Sequence, residues 1–332
     1  MKKLLFSAML VATALTLASC GGKTTGPANE VLSKKAFSAA IAKYADVGDF
    51  NDGVAIVKVE DGWRYKSGVI NNKGEEIVAC NYTWINPSSC GMMLFRDENG
   101  LGFMNSKGEV MVASGKYDDA EDYSDNLACV KKDGKVGFVD VKGNEVIPCS
   151  FERAYPFAEG LALVRKNDKY GYINTKAEFV VAPAYDDGYH FACGVAIVEK
   201  GSKEYVIDKE GTVVFSQDGN KSAFLEEQFS DNLIPVIKEQ GRKMVVGYMN
   251  TTGEEIIPFE YQYGSGFEDG NAVVMKDNKV YNINTKGEIL GEVSSSEILI
   301  DFLDDAKYYI DLTSKVLIDL LGEDVYEDEW DD

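Results

Sequence analysis

The chain of 332 residues predicts an all-β fold: seven antiparallel repeats of three to four short strands, each about 35 residues long, and a degenerate eighth. Three series of residues carry this reading. Turn residues Gly74, Gly108, Gly143, Ala177, Gly211, Gly253 and Gly287 recur at intervals of 34, 35, 34, 34, 42 and 34. A second series marks another corner: Gly53, Gly91, Asn126, Gly160, Gly194, Asn232 and Gly270. Aromatic pairs six apart form the third: Tyr44/Phe50, Tyr117/Tyr123, Phe151/Phe157, Tyr185/Phe191 and Tyr261/Phe267. Gly and Asn at the corners accept positive φ at little cost.

The chain opens on Met1-Lys2-Lys3 and an apolar run of fourteen residues, Leu4 to Leu17, ending in Leu17-Ala18-Ser19-Cys20. The run suits a signal-peptide core and is shorter than the roughly 20 residues of a spanning helix. Small residues before a cysteine resemble the lipobox of bacterial lipoproteins. That resemblance implies cleavage after residue 19, a lipidated Cys20 and an acylated membrane anchor, palmitate being one such chain. Residues 20–43 form the lipidated cysteine and its tether, of which Gly21 to Asn29 is a flexible Gly/Thr/Pro stretch. Ala28 to Lys43 has mixed patterning.

Residues 44–322 make up the repeat domain. Phe157 to Pro183 shows the unit most plainly. Leu161, Leu163 and Arg165 lie on one alternating run, Asn167-Asp168 supplies a tight turn, and Tyr170 to Thr175 runs back. Lys176-Ala177-Glu178 turns into a third run, Phe179 to Ala182, which Pro183 stops. Ala177 interrupts the glycine rule, implying a turn that manages without Gly. The first and sixth units carry four extra residues in their first hairpin, around Asp61-Gly62-Trp63 and Glu239-Gln240-Gly241. Ile298 to Phe302 falls where the first strand of an eighth unit belongs, and residues 323–332 form an acidic tail. Such units build a closed propeller-like ring or an open β-solenoid. The ring is favoured because closure shields sheet edges.

The pattern Phe-x-Glu-Gly-Leu-Ala-x-Val, then Lys-x-Gly-Tyr-Ile-Asn-Thr-Lys-Gly, then Val-Ile-Pro and Tyr-Asp, resembles the WG-containing repeat of bacterial proteins. The Trp of the Trp-Gly pair is replaced by Leu101, Val136, Tyr170 and Val246, so no role of that Trp transfers. The resemblance implies an exported β-repeat protein with no catalytic residues to carry over.

Composition narrows the partners. The formal charge is −21, from 55 acidic and 34 basic residues. A surface this acidic repels nucleic acid and anionic headgroups. Five cysteines remain after Cys20, an odd number: Cys80, Cys90, Cys129, Cys149 and Cys193. Their equivalent positions in separated units point to reduced, small core residues.

Candidate sites are sparse. The single histidine, His190, has no second His to complete a metal set, and no nucleophile elbow or phosphate loop occurs. Asp118-Asp119 and Asp186-Asp187 recur at one place in their units, the pattern either of stacked calcium ligands or of solvated strand ends; the latter is expected. Trp63, in an insertion loop, and Trp84, where other units carry Asp or Arg, are the candidate ligand contacts. No catalytic residue, metal ligand or cofactor is expected. The expected function is a non-catalytic binding or scaffold lipoprotein of the bacterial cell envelope, at the outer membrane with its face left open, and with a protein or glycan partner. The alternative is a hydrolase of envelope polysaccharide or peptidoglycan using an acidic pair.

Overall fold

The computed structural model describes residues 42–218, 222–226, 228–241, 243–293 and 302. They form seven four-stranded antiparallel sheets, each a meander in chain order. Sheet 1 spans residues 46–82, sheet 2 84–112, sheet 3 119–151, sheet 4 153–185, sheet 5 187–218, sheet 6 222–261 and sheet 7 263–292. In sheets 2, 3, 4, 5 and 7 the first strand has only two residues, such as Asp119–Ala120 and Arg153–Ala154. In sheets 3, 4, 5 and 7 it falls between or beside the paired aromatics. The two insertions lengthen both arms of their hairpins to eight residues, Val54–Asp61 with Arg64–Asn71 and Leu233–Gln240 with Lys243–Asn250.

The second strand of sheets 2 to 6 is buried on both faces because alternate residues serve different neighbours. In sheet 3, Leu127 and Cys129 pack forward on Ala154, Phe157, Ala162 and Val164 of the next unit. Ala128 and Val130 pack back on Met92, Leu94 and Phe103. The strand therefore reads as a continuous apolar run, Leu-Ala-Cys-Val. The paired aromatics explain themselves in the same way. The second member of four of the five pairs packs edge-on against the third strand of the preceding sheet: Phe103–Tyr123 at 4.9 Å, Phe138–Phe157 at 4.8 Å, Tyr172–Phe191 at 4.8 Å and Tyr248–Phe267 at 5.1 Å. Each such ring contributes about 2–3 kcal/mol by burial.

The Asn-Thr-Lys-Gly turn has a local cause. Asn174 Oδ1 accepts the N–H groups of Lys176 and Glu178, closing an Asx turn that Asn71, Asn105, Asp140, Asp208, Asn250 and Asn284 repeat. The turn needs a left-handed residue, and Ala177 complies at φ 63°. The turn keeps its geometry without Gly and bears the steric cost. A second glycine, that of the Lys-x-Gly motif, answers to sterics of a different kind. A Cβ on Gly137 would lie 2.4 Å from Ile147 O and 2.6 Å from Cys149 N. The fourth strand bulges there: Val136 pairs with Phe151 and Phe138 with Ile147, so extra residues face Gly137. Sheets 5 and 7 have Tyr205 and Tyr281 in place of this glycine. Their fourth strands pair residue for residue at that point, Tyr205 with Ser216 and Tyr281 with Glu292.

Backbone clasps join consecutive units. The carboxylates of Asp52, Asp125, Glu159 and Asp231 accept the N–H of Gly91, Gly160, Gly194 and Gly270 in the following unit, at 2.7–3.0 Å. The six clusters that join sheets all join consecutive ones. No cluster among the described residues joins sheet 7 to sheet 1, and no closed ring is detected among them. The forward face of sheet 7 carries Asn271, Asn282 and Gly291 where sheet 6 has Leu233, Tyr248 and Ile257, and it also carries Met275 and Val280, both buried. Phe302 covers part of that end, 5.2 Å from the Tyr263 ring. It is the one described residue of the expected eighth-unit strand, and its backbone is helical. The rest of that unit, the acidic tail, the signal segment and the tether to residue 41 lie outside the described residues.

Cys80, Cys129, Cys149 and Cys193 are free thiols, with Cys129 fully buried. Cys80 and Cys149 occupy the bulges opposite Gly68 and Gly137. Cys90 corrects the expectation of five reduced thiols, since it is disulfide-bonded. It takes positive φ, 54°, at a corner where Cys193 takes 55°, and packs against the cluster joining sheets 2 and 3.

Candidate functional site

The repeat leaves hollows between its sheets. Between sheets 3 and 4, at the edge formed by the short first strands, lies a cavity of about 240 Å³. Its floor is Cys129, Val136 and Ala154, and its rim carries Asp119, Glu121, Lys131, Glu152, Arg153 and Tyr155. Side-chain size accounts for the space. The preceding junction fills the equivalent positions with Leu94 and Leu101, the following one with Leu163 and Tyr170. Phe138 also lacks the hydroxyl with which Tyr172 reaches Tyr189 O, at 2.6 Å, in the next junction.

Short strands position the rim. Asp119–Ala120 pairs with the second strand of its own sheet, setting Asp119 opposite Lys131 and Ala120 opposite Val130. Arg153–Ala154 pairs likewise, setting Arg153 opposite Arg165. Glu121 follows the short strand, its backbone N–H bonded to Cys129 O at 3.0 Å. Solvent reaches Glu121, yet the sheets around it partly desolvate its carboxyl and raise its pKa, with repulsion from Asp119 and Asp122 adding to the shift. Tyr155 first, with Tyr170 beside it, holds the Arg153 guanidinium in its charged form. Burial pushes the Cys129 thiol well above its usual range, with the charge of Glu121 second, so the floor is a neutral S–H rather than a thiolate.

The residues singled out in the sequence fall elsewhere. Trp63 stands at a hairpin tip beside Gly62, its side chain wholly in solvent at 102% relative exposure. Trp84 is half-buried against the cluster joining sheets 2 and 3. The two are not brought together with the cavity. His190 stacks edge-on with Tyr155, 5.9 Å between centroids, and lines a second hollow with Tyr189, Glu226 and Gln228. The repeated aspartates do more than meet solvent. Asp118 accepts Asp133 N–H and Asp186 accepts Gly201 N–H, and Glu152 takes the N–H groups of Asn167 and Asp168 in the same way. They clasp the first hairpin turn of their own sheet. No group of three His, Cys, Asp or Glu side chains able to hold a metal occurs among the described residues. Cys20 lies outside them.

The glycine facing a bulge, the Asx turn and the turn-clasping acid recur in register with the sequence motif. Six stretches match the WG containing repeat: residues 41–63, 68–100, 102–135, 137–170, 170–203 and 247–279, more than half of the chain. The chain belongs to the WG-containing repeat family. Most matched stretches begin on the third strand of one sheet and end in the first hairpin of the next, so the sequence repeat straddles two sheets. A search of curated proteins returned no match. Among solved structures, the chain is similar to a eukaryotic initiation factor, with 10% identity, TM-score 0.45, and 75% of this chain and 78% of that one covered. It is also similar to Hsv2p of Kluyveromyces lactis, with 12% identity, TM-score 0.39, and 72% and 92% covered. The protein lmo1340 of Listeria monocytogenes is similar at 11% identity and TM-score 0.37, with 75% and 94% covered.

Proposed function

We propose that the protein is a non-catalytic binding module of the bacterial cell envelope, anchored through a lipidated Cys20, with its ligand taken at the cavity between sheets 3 and 4. The cavity carries the reading: the junction of sheets 3 and 4 is hollowed by Cys129 and Val136, where the two flanking junctions carry larger side chains, and is rimmed by charges of both signs. Sites of this kind combine an apolar floor with a few convergent polar groups. Anchoring rests on the basic start, the apolar run and Leu17-Ala18-Ser19-Cys20. The protruding Trp63 is proposed as a second contact for a protein or glycan partner, since an exposed indole offers a large stacking surface.

Two experiments test the two parts. Cys20→Ser abolishes acylation and shifts the protein out of the detergent phase; if the variant partitions as before with the normal mature mass, anchoring is refuted. Cys129→Leu refills the cavity with the side chain used by the flanking units. Capture of envelope material by the wild type and lost in this variant supports the cavity. Equal capture by both refutes it.

A further inference from the structure

The charges around the cavity point to the class of its ligand. Arg153 and Arg165 stand directly opposite on adjacent strands. Like charges in that relation repel. Arg165 is compensated, its guanidinium 2.7 Å from Asp168 and 4.0 Å from Glu152. Arg153 makes no ion pair among the described residues, although the protein carries an excess of 21 negative charges. On the other wall Glu121 makes no ion pair or side-chain hydrogen bond among the described residues, and the charged groups that act on it are both acids, Asp119 and Asp122. An unmatched cation and an unmatched anion thus face one space across an uncharged floor. Its volume, about 240 Å³, lies below the roughly 300–1,000 Å³ typical of clefts for drug-sized ligands.

We propose that the cavity binds a small zwitterion, a free α-amino acid with an apolar side chain. Its carboxylate pairs with Arg153, its ammonium group with Glu121, and its side chain rests on Cys129, Val136 and Ala154. The inference rests on the binding-module reading and specifies the ligand of that site. A planar guanidinium suits a carboxylate because two N–H groups can meet two oxygens. The apolar floor favours valine or leucine over a polar side chain.

Calorimetry on the full chain in detergent micelles tests it, with L-alanine, L-valine and L-leucine as probes beside N-acetyl-L-valine and L-valinamide. Saturable binding of one equivalent is expected for valine or leucine. Blocking either charge weakens it about ten-fold or more, the worth of one charge-assisted contact. Arg153→Gln removes the preference for the free carboxylate, and Glu121→Gln removes the preference for the free amine. Both positions are solvent-facing, so these variants keep the test open if Cys129→Leu fails to fold. Absence of saturable heat for all three amino acids at ~10 mM, where a millimolar Kd would show, overturns the ligand class. So does equal affinity for the blocked forms. If amino acids fail while Cys129→Leu still loses capture of envelope material, the site stands and the ligand class falls. If Cys129→Leu captures as the wild type does, both fall.

Discussion

Gly137→Ala tests why the repeat carries a glycine in its third strand. Gly137 does not need glycine for its φ, since it is absent from the residues with positive φ. Only space is at issue. The added methyl would sit 2.4 Å from Ile147 O, 2.6 Å from Cys149 N and 2.7 Å from Pro148 C. All three are backbone atoms of the bulged fourth strand, and no rotamer change relieves them. Moving that strand by nearly 1 Å is overpacking, at about 1–3 kcal/mol. Breaking one ladder hydrogen bond adds about 1 kcal/mol, and Ala for Gly in a strand returns roughly 0.5–1 kcal/mol. The net is a loss of about 2 kcal/mol. Denaturant unfolding measures the sum, and hydrogen exchange at residues 135–151 locates it, which matters because repeat arrays can open locally. Tyr205→Ala is the comparison. In sheet 5 the strands pair without a bulge at this point, so it loses only the partly buried ring, about 1 kcal/mol. Gly137→Ala within 0.5 kcal/mol of wild type would refute the steric account.

Ala177→Gly relieves a left-handed alanine at φ 63°. A gain of about 0.5–1 kcal/mol is expected in denaturant unfolding, small because the methyl also packs against the preceding core. A loss of stability would show that this packing outweighs backbone strain. Asp186 has its pKa lowered, first by the Gly201 N–H and then by Lys169. Its stabilisation is present above the unfolded value of about 4 and disappears as pH falls through the lower folded one. Asp186→Asn should therefore narrow the drop in Tm between pH 6 and pH 2, and an unchanged drop would refute the clasp. Removal of 295–332 takes away Phe302 and exposes Tyr263. In an open series it costs only the last neighbour contact and leaves exchange protection in sheets 1 to 5 intact. Loss of protection throughout would indicate a sealed ring.

The sequence by itself determined the repeat, its seven copies and most of its turns, because the causes are local. An Asn four residues before a Glu and three before a Gly or Ala closes its own turn, whichever sheet it occupies. A strand buried on both faces appears as Leu-Ala-Leu-Val without reference to its neighbours. Tertiary structure decided what rests on relations between units. The two-residue first strand was illegible because two residues show no alternation; its place is set by pairing, as Arg153 with Arg165 and Ala154 with Val164. That Asn271, Asn282 and Gly291 share the forward face of sheet 7 with Met275 and Val280 follows only from the register. The cavity is the plainest case. Cys129 and Val136 are unremarkable small residues in the linear chain. They become a hollow only when the register shows that Leu94 and Leu101, or Leu163 and Tyr170, fill the same space next door. Packing compares volumes across junctions, and a sequence without its register holds no such comparison.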